Sequence, residues 1–263
     1  MKLQLYIIFL LFNFGCKGLS DNSNSARSIR AEEEMNEITT EAQQINSELI
    51  NNLAELKLDK ESKIYESVKS SIETNRKSLN LKNVEIDSIS KIFEISLVNR
   101  IIPFWEETRW SFEGHTSKPK SGTIACGYFV STTLQDIGMN LNRYKLAQQS
   151  PINEAKSLAI NAEVKEFSKG SSARNISAIA KYLEEGIHYI GFDQSHVGYI
   201  LKKKDKLYLI HSNYIVSIGV QIEQIEKSEV FQSYSKFYIV KLSTNENLLR
   251  SWIQGKQIEI IDK

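Results

Sequence analysis

The chain reads as an α+β protein, with helices first and a mostly antiparallel sheet after them. Three observations predict this. Between Ala31 and Arg100 apolar residues recur every three or four positions, the period of a helix with one buried stripe. From Gly186 onward they gather into short runs rich in Ile, Val, Tyr and Phe, the texture of strands. Helices followed by a meander of strands, without regular alternation of the two, point to an antiparallel sheet carrying helices.

Taken in order, the first element is a targeting segment. Met1-Lys2 gives a positive start, and Leu3 to Phe14 is apolar apart from Gln4 and Asn13. That run is short of the roughly 20 residues a membrane helix needs and suits a signal-peptide core. It ends at Gly15-Cys16, before the polar stretch Lys17 to Arg30. Residues 1–15 resemble a bacterial lipoprotein signal. The resemblance implies that Cys16 is acylated, and that the protein is exported and lipid-anchored on the periplasmic or cell-surface face of a bacterial membrane. A plain secretory signal with an incidental cysteine is the alternative. Residues 16–30, rich in Ser, Asn and Asp, read as a flexible tether.

Ala31, Met35, Ile38, Ala42, Ile45, Leu49 and Leu56 then keep heptad spacing, with Asn52 at the polar seam position. A long helix is expected from about Ser28 to Leu58. Ile64, Val68 and Ile72 share a face of a second helix. Residues 31–83 thus form either a helical stalk or hairpin, or helices packed on the C-terminal domain, which spans 84–263. Within that domain, Ile86, Ile89, Ile92, Phe93 and Leu97 predict a helix over Val84 to Arg100, and Pro103 breaks the period. Ser111 to Thr123, with Gly114, Pro119 and Gly122, is a structured loop. Helices follow over Cys126 to Met139 and Asn175 to Glu185. The residues between them, Asn140 to Ser172, have no evident place. Strands are expected at His188 to Phe192, His196 to Leu201, Leu207 to His211, Ile215 to Ile222 and Phe237 to Leu242.

Composition narrows the function classes. The 33 basic residues nearly balance the 32 acidic ones, for a formal net charge of +1. No clustered Lys and Arg mark a nucleic-acid footprint, so no nucleic-acid partner is expected. Only two cysteines occur. With Cys16 carrying lipid, Cys126 has no partner, and a lone thiol in an oxidising compartment is a liability unless it is buried and inert or has chemistry to perform.

Cys126 lies where a loop becomes a helix. The N–H groups and dipole of a first helical turn stabilise a thiolate, lowering its pKa, and can also hold an oxyanion. A thiol nucleophile needs a base held by a third polar group. His196 opens one strand and His211 ends the next across a polar hairpin turn, so His211 or its neighbour Asn213 is placed to orient His196. Gly198 beside the base leaves room for a substrate backbone. His115, in the loop before the nucleophile, is a candidate cleft residue or a plain surface histidine. His188 reads as structural. A zinc site from Cys126, His196 and His211 lacks any short-spaced ligand pair, so no metal and no cofactor are expected.

The segments Gly122-Thr123-Ile124-Ala125-Cys126-Gly127-Tyr128-Phe129-Val130, His196-Val197-Gly198 and Leu209-Ile210-His211-Ser212 resemble, in order, the NlpC-type cysteine peptidases of the papain-like amidase superfamily. The resemblance runs roughly from Trp110 to Leu242. It implies a papain-like domain with a nucleophile helix packed on an antiparallel sheet, and a catalytic set of Cys126, His196 and His211. Gly114, His115, Gly127, Tyr128 and Gly198 would line the substrate. The usual substrate is the bond between D-glutamate and the diamino acid of peptidoglycan stem peptides. Ala125-Cys126-Gly127 stands where cell-wall members usually carry Asp-Cys-Ser. That difference and the 140–172 insert leave the substrate open to another envelope amide. Other acyl chemistry on the same fold (deamidation, transglutamination or lipid deacylation) and a non-catalytic lipoprotein scaffold are the alternatives.

Overall fold

A computed structural model describes residues 61–80, 84–168, 170–193, 195–215 and 218–262. Every described residue belongs to one compact unit, Leu56–Lys263. The expected signal segment, Cys16, the tether and the long heptad helix lie outside the described residues. Among the described residues no helix is long and apolar enough to cross a membrane.

The expected α+β class holds. Among the described residues the strands form one six-stranded antiparallel sheet in the order β1-β6-β2-β3-β4-β5. They are β1 (Lys165–Phe167), β2 (Gly186–Phe192), β3 (His196–Lys203), β4 (Lys206–Asn213), β5 (Gly219–Gln224) and β6 (Phe237–Lys241). Side chains of the central strands alternate between two cores. Tyr189, Tyr199 and Val240 join one, and Ile190, Ile200 and Ile239 join the other. Both faces are covered, which is why β2 is buried at every position.

Helical residues 61–80 (α1) supply Tyr65 and Ile72 to the first core, while Ile64, expected inward, is exposed. This segment packs on the domain and does not stand away from it. Tyr65 donates to Asp136 at 2.5 Å, and Arg76 reaches the Trp252 and Ile253 carbonyls at 2.7 and 3.1 Å. Next come α2 (Ile86–Glu94), a π-helical stretch Ile95–Ile101 and α3 (Ile102–Trp105). Pro103 does not stop the helix where the sequence predicts. It sits at the second position of α3, which continues directly from the π-helical stretch.

The helix headed by Cys126, α4 (Cys126–Asp136), is buried along most of its length, with Phe129, Val130 and Leu134 in the first core. It lies on β3, where the Tyr199 hydroxyl meets Thr133 Oγ1 at 2.7 Å and the Val130 carbonyl at 3.0 Å. The 140–172 insert gains a place. It forms α5 (Arg143–Ala147), α6 (Pro151–Ala159) on β2 and β6, and the edge strand β1. Three further helices are α7 (Ser172–Tyr182), α8 (Glu229–Gln232) and α9 (Glu246–Gln254). α7 starts three residues before its expected position because the Ser171 hydroxyl caps it, accepting from the Arg174 amide.

Candidate active site

The site lies where β3 and β4 part. Their antiparallel register begins at Tyr199↔Ile210, so His196 to Gly198 of β3 pair with β2 only. The start of α4 approaches there, and Cys126 Sγ meets the backbone on both sides of His196. Its thiol donates to the Ser195 carbonyl at 3.9 Å and receives the Val197 amide. The sulfur therefore contacts backbone groups that would otherwise face a strand. The Cys126 and Gly127 amides also point toward it. The Ala125 side chain offers no cap to this helix start, which leaves its first N–H groups unclaimed by a side chain.

His196 and His211 are joined ring to ring, with His196 Nε2 2.9 Å from His211 Nδ1. Both rings are buried, at 1% and 0% exposure. His211, and not Asn213, is thus the group bonded to His196. Extending the register would put Asn213 opposite His196. The strands diverge before that point, and Asn213 Oδ1 instead accepts from the Ile215 amide at 2.7 Å. Beyond His211 stands a group the sequence reading missed. Glu223 Oε1 lies 3.0 Å from His211 Nε2. The sequence places a strand at Ile215 to Ile222 and leaves Glu223 outside it. The real strand starts at Gly219, whose φ of 92° suits a residue without a side chain, and the shift brings Glu223 into the sheet.

Burial governs the electrostatics. It pushes the His196 imidazole well below the ordinary histidine value, helped by neighbouring His211. It lowers His211 as well, with Glu223 opposing. The Cys126 thiol is pushed up to about 11 by burial, against the pull of the surrounding amides. The sequence expectation of a lowered thiol pKa is therefore corrected. The amides and the helix start act as expected, but desolvation of the thiolate outweighs them when the neighbouring imidazole is uncharged.

The expected substrate residues divide. Tyr128 is half-buried and His115 exposed; their rings lie 5.9 Å apart, and Tyr144 meets Tyr128 at 5.8 Å. These form an aromatic rim. The three glycines are packing positions instead. A Cβ on Gly198 would come 2.8 Å from the Ile210 carbonyl and 2.9 Å from His211 Cβ, so the room it leaves is taken by β4 and not by a substrate. Gly114 is pressed against the backbone at Thr123 and Ile124, and Gly127 against the Ala147 carbonyl and Glu154. Two tyrosines extend the surroundings of His196. Tyr214 packs edge-on to its ring at 5.3 Å, and Tyr234 reaches Ser195 Oγ at 2.9 Å. His188 is fully buried, bonded to the Glu184 carbonyl at 3.0 Å and remote in its contacts from the thiol. Among the described residues no group of three or more His, Cys, Asp and Glu is placed to hold a metal ion.

No family model matches this chain, and no curated protein and no solved structure matches it either.

Proposed function

We propose that this protein is an exported, lipid-anchored bacterial thiol hydrolase with a papain-like, NlpC-type domain. It cleaves an amide bond in the cell envelope, with peptidoglycan stem peptides as the first candidate substrate. The observation that carries this reading is the seating of Cys126 Sγ, at the start of α4, against the backbone on both sides of a histidine whose ring is oriented by a second histidine. A nucleophile, a base and an orienting group are the parts that thiol acyl transfer requires.

In the proposed reaction the thiol turns from the Ser195 carbonyl toward Nδ1 of His196, the ring nitrogen not engaged with His211. Sulfur attacks the substrate carbonyl as its proton passes to His196. Amides at the start of α4 hold the oxyanion. The C–N bond breaks, His196 returns the proton to the leaving amine, and a thioester remains. Water then attacks the thioester with His196 as base, releasing the acid and the free thiol. Both groups are neutral at rest and become charged together, so each charge stabilises the other.

The thiol's bond to Ser195 favours one second reading, a scaffold in which Cys126 is merely a buried contact. One experiment separates the two. Purified protein is incubated with muropeptides and the products are weighed by mass spectrometry. Amide cleavage is expected, falling roughly a thousandfold or more in both Cys126→Ala and His196→Ala. Cleavage untouched by either substitution, or no cleavage of muropeptides, lipopeptides or glutamine-containing peptides, would sink the hydrolase reading.

A further inference from the structure

We infer that Glu223 is a positioning residue for this site, fixing through His211 which nitrogen of His196 carries its proton. The inference rests on the hydrolase reading above. Its logic is hydrogen-bond arithmetic. An ionised carboxylate only accepts, and a neutral imidazole has one donor and one acceptor nitrogen. With Glu223 Oε1 3.0 Å from His211 Nε2, that nitrogen must carry the hydrogen. His211 Nδ1 is then a bare acceptor, and it faces His196 Nε2 at 2.9 Å. His196 must therefore donate from Nε2, which leaves its Nδ1 bare. A bare Nδ1 is what the thiol proton needs. With the opposite chain of tautomers, His196 would present an N–H to the thiol and could not act as its base.

The contacts on each side support this direction. Glu223 is itself held by Ser228, the residue before α8, and by Gln221, and it stays on the ionised side because these groups and His211 bond to it. Both imidazoles are buried and kept neutral. The groups facing the pair are Tyr214 after β4, Phe192 from β2 and Glu223 from β5, with the Cys126 thiol of α4 on the backbone at Ser195 and Val197. Of the hydrogen-bonding groups among these the carboxylate alone accepts without donating, so it sets the direction of the chain. It also lies two hydrogen bonds from the imidazolium that forms when the thiol gives up its proton.

The test uses full-length protein with 15N-labelled histidine. Imidazole NMR reads the tautomers directly, and iodoacetamide alkylation of Cys126 across pH reads the consequence. In the wild type, both His196 and His211 should carry hydrogen on Nε2. Glu223→Gln, which can donate as well as accept, should admit the second tautomer. It should also slow alkylation about tenfold or more and move its midpoint to higher pH. A carboxylate that fixes the tautomer by direct contact is worth about 10⁴-fold in serine hydrolases, and one removed by an intervening ring should be worth less. Glu223→Asp should restore part of the rate. A wild-type His211 with hydrogen on Nδ1 overturns the inference without recourse to any variant. So does a Glu223→Gln protein with unchanged tautomers and rate, and if His196→Ala still slows alkylation the hydrolase reading survives that result. Alkylation indifferent to His196→Ala overturns both.

Discussion

At Cys126 the amides of Cys126, Gly127 and Val197 draw the thiol toward ionisation, while burial opposes them and prevails. A second buried acid contributes to that balance. Glu154 is 1% exposed, its Oε2 has no hydrogen-bond partner, and its Oε1 comes within 3.1 Å of where a Cβ on Gly127 would stand. Burial raises its pKa well above the ordinary carboxylate value, so the folded protein holds a proton that the unfolded chain gives up. Stability from this group is complete at low pH and is lost as pH rises toward the folded pKa. Glu154→Gln removes that loss. Its melting temperature should exceed the wild type's by more at pH 8 than at pH 5, the gap widening by up to about 1.4 kcal/mol per pH unit. An equal shift at both pH values would show that the carboxyl titrates as an ordinary one. At this scale the sequence is legible where chemistry singles a residue out: a lone thiol at a loop-to-helix step, or two histidines across a hairpin. It is silent where geometry decides. Glu223 looks like any surface glutamate until β5 is placed, and Gly198 looks like substrate room until His211 is seen to fill it.

Elements show the same division. The helix headed by Cys126 and the strands β2, β3, β4 and β6 follow from their apolar runs and spacing, while β5 only overlaps its expected place. The π-helical stretch Ile95–Ile101 does not follow, since its widened turn adds a residue to the helical repeat and carries Ser96, Val98 and Ile101 inward beside the expected Leu97. α9 is different again. Asn245 caps it, Gly255 ends it in a left-handed turn, and Leu248, Leu249, Trp252 and Ile253 fill one face, so its signals are present and simply unused in the expectation. Beside α4, α1 is fixed by polar contacts that no periodicity reveals. Tyr65 donates to buried Asp136 at 2.5 Å and accepts from Trp105 Nε1 at 2.7 Å, and Lys69 pairs with Asp136 at 2.9 Å. Tyr65→Phe leaves a buried acceptor and a buried indole N–H each short of a partner. A loss of about 1–3 kcal/mol in urea unfolding is expected. Because Asp136 ends α4, amide exchange in α4 should quicken too. A change below about 0.3 kcal/mol would mean that the contacts are replaced by water at no cost.

Across the whole domain, the sheet is covered on both faces, and that coverage places three histidines in dry surroundings. His188, His196 and His211 are each 1% exposed or less, and burial lowers the pKa of all three, His188 to about 4. For each, the unfolded chain binds a proton near pH 6.5 that the fold refuses. Their stability is therefore complete above that pH and is lost as pH falls through the folded values. Glu154 works in the opposite sense over the same window, and Asp136 joins it because burial raises that carboxyl as well. Burial raises the Glu94 carboxyl too, so three protons refused face up to three retained, and the histidines' share is read by removing one of them. His188→Leu isolates the contribution best, because His188 lies away from the thiol and its Nδ1 is already without a partner. As pH falls from 6.5 to 4.5 its unfolding free energy should rise relative to the wild type's, by about 2 kcal/mol. Parallel pH curves for the two proteins would mean that His188 charges within the fold.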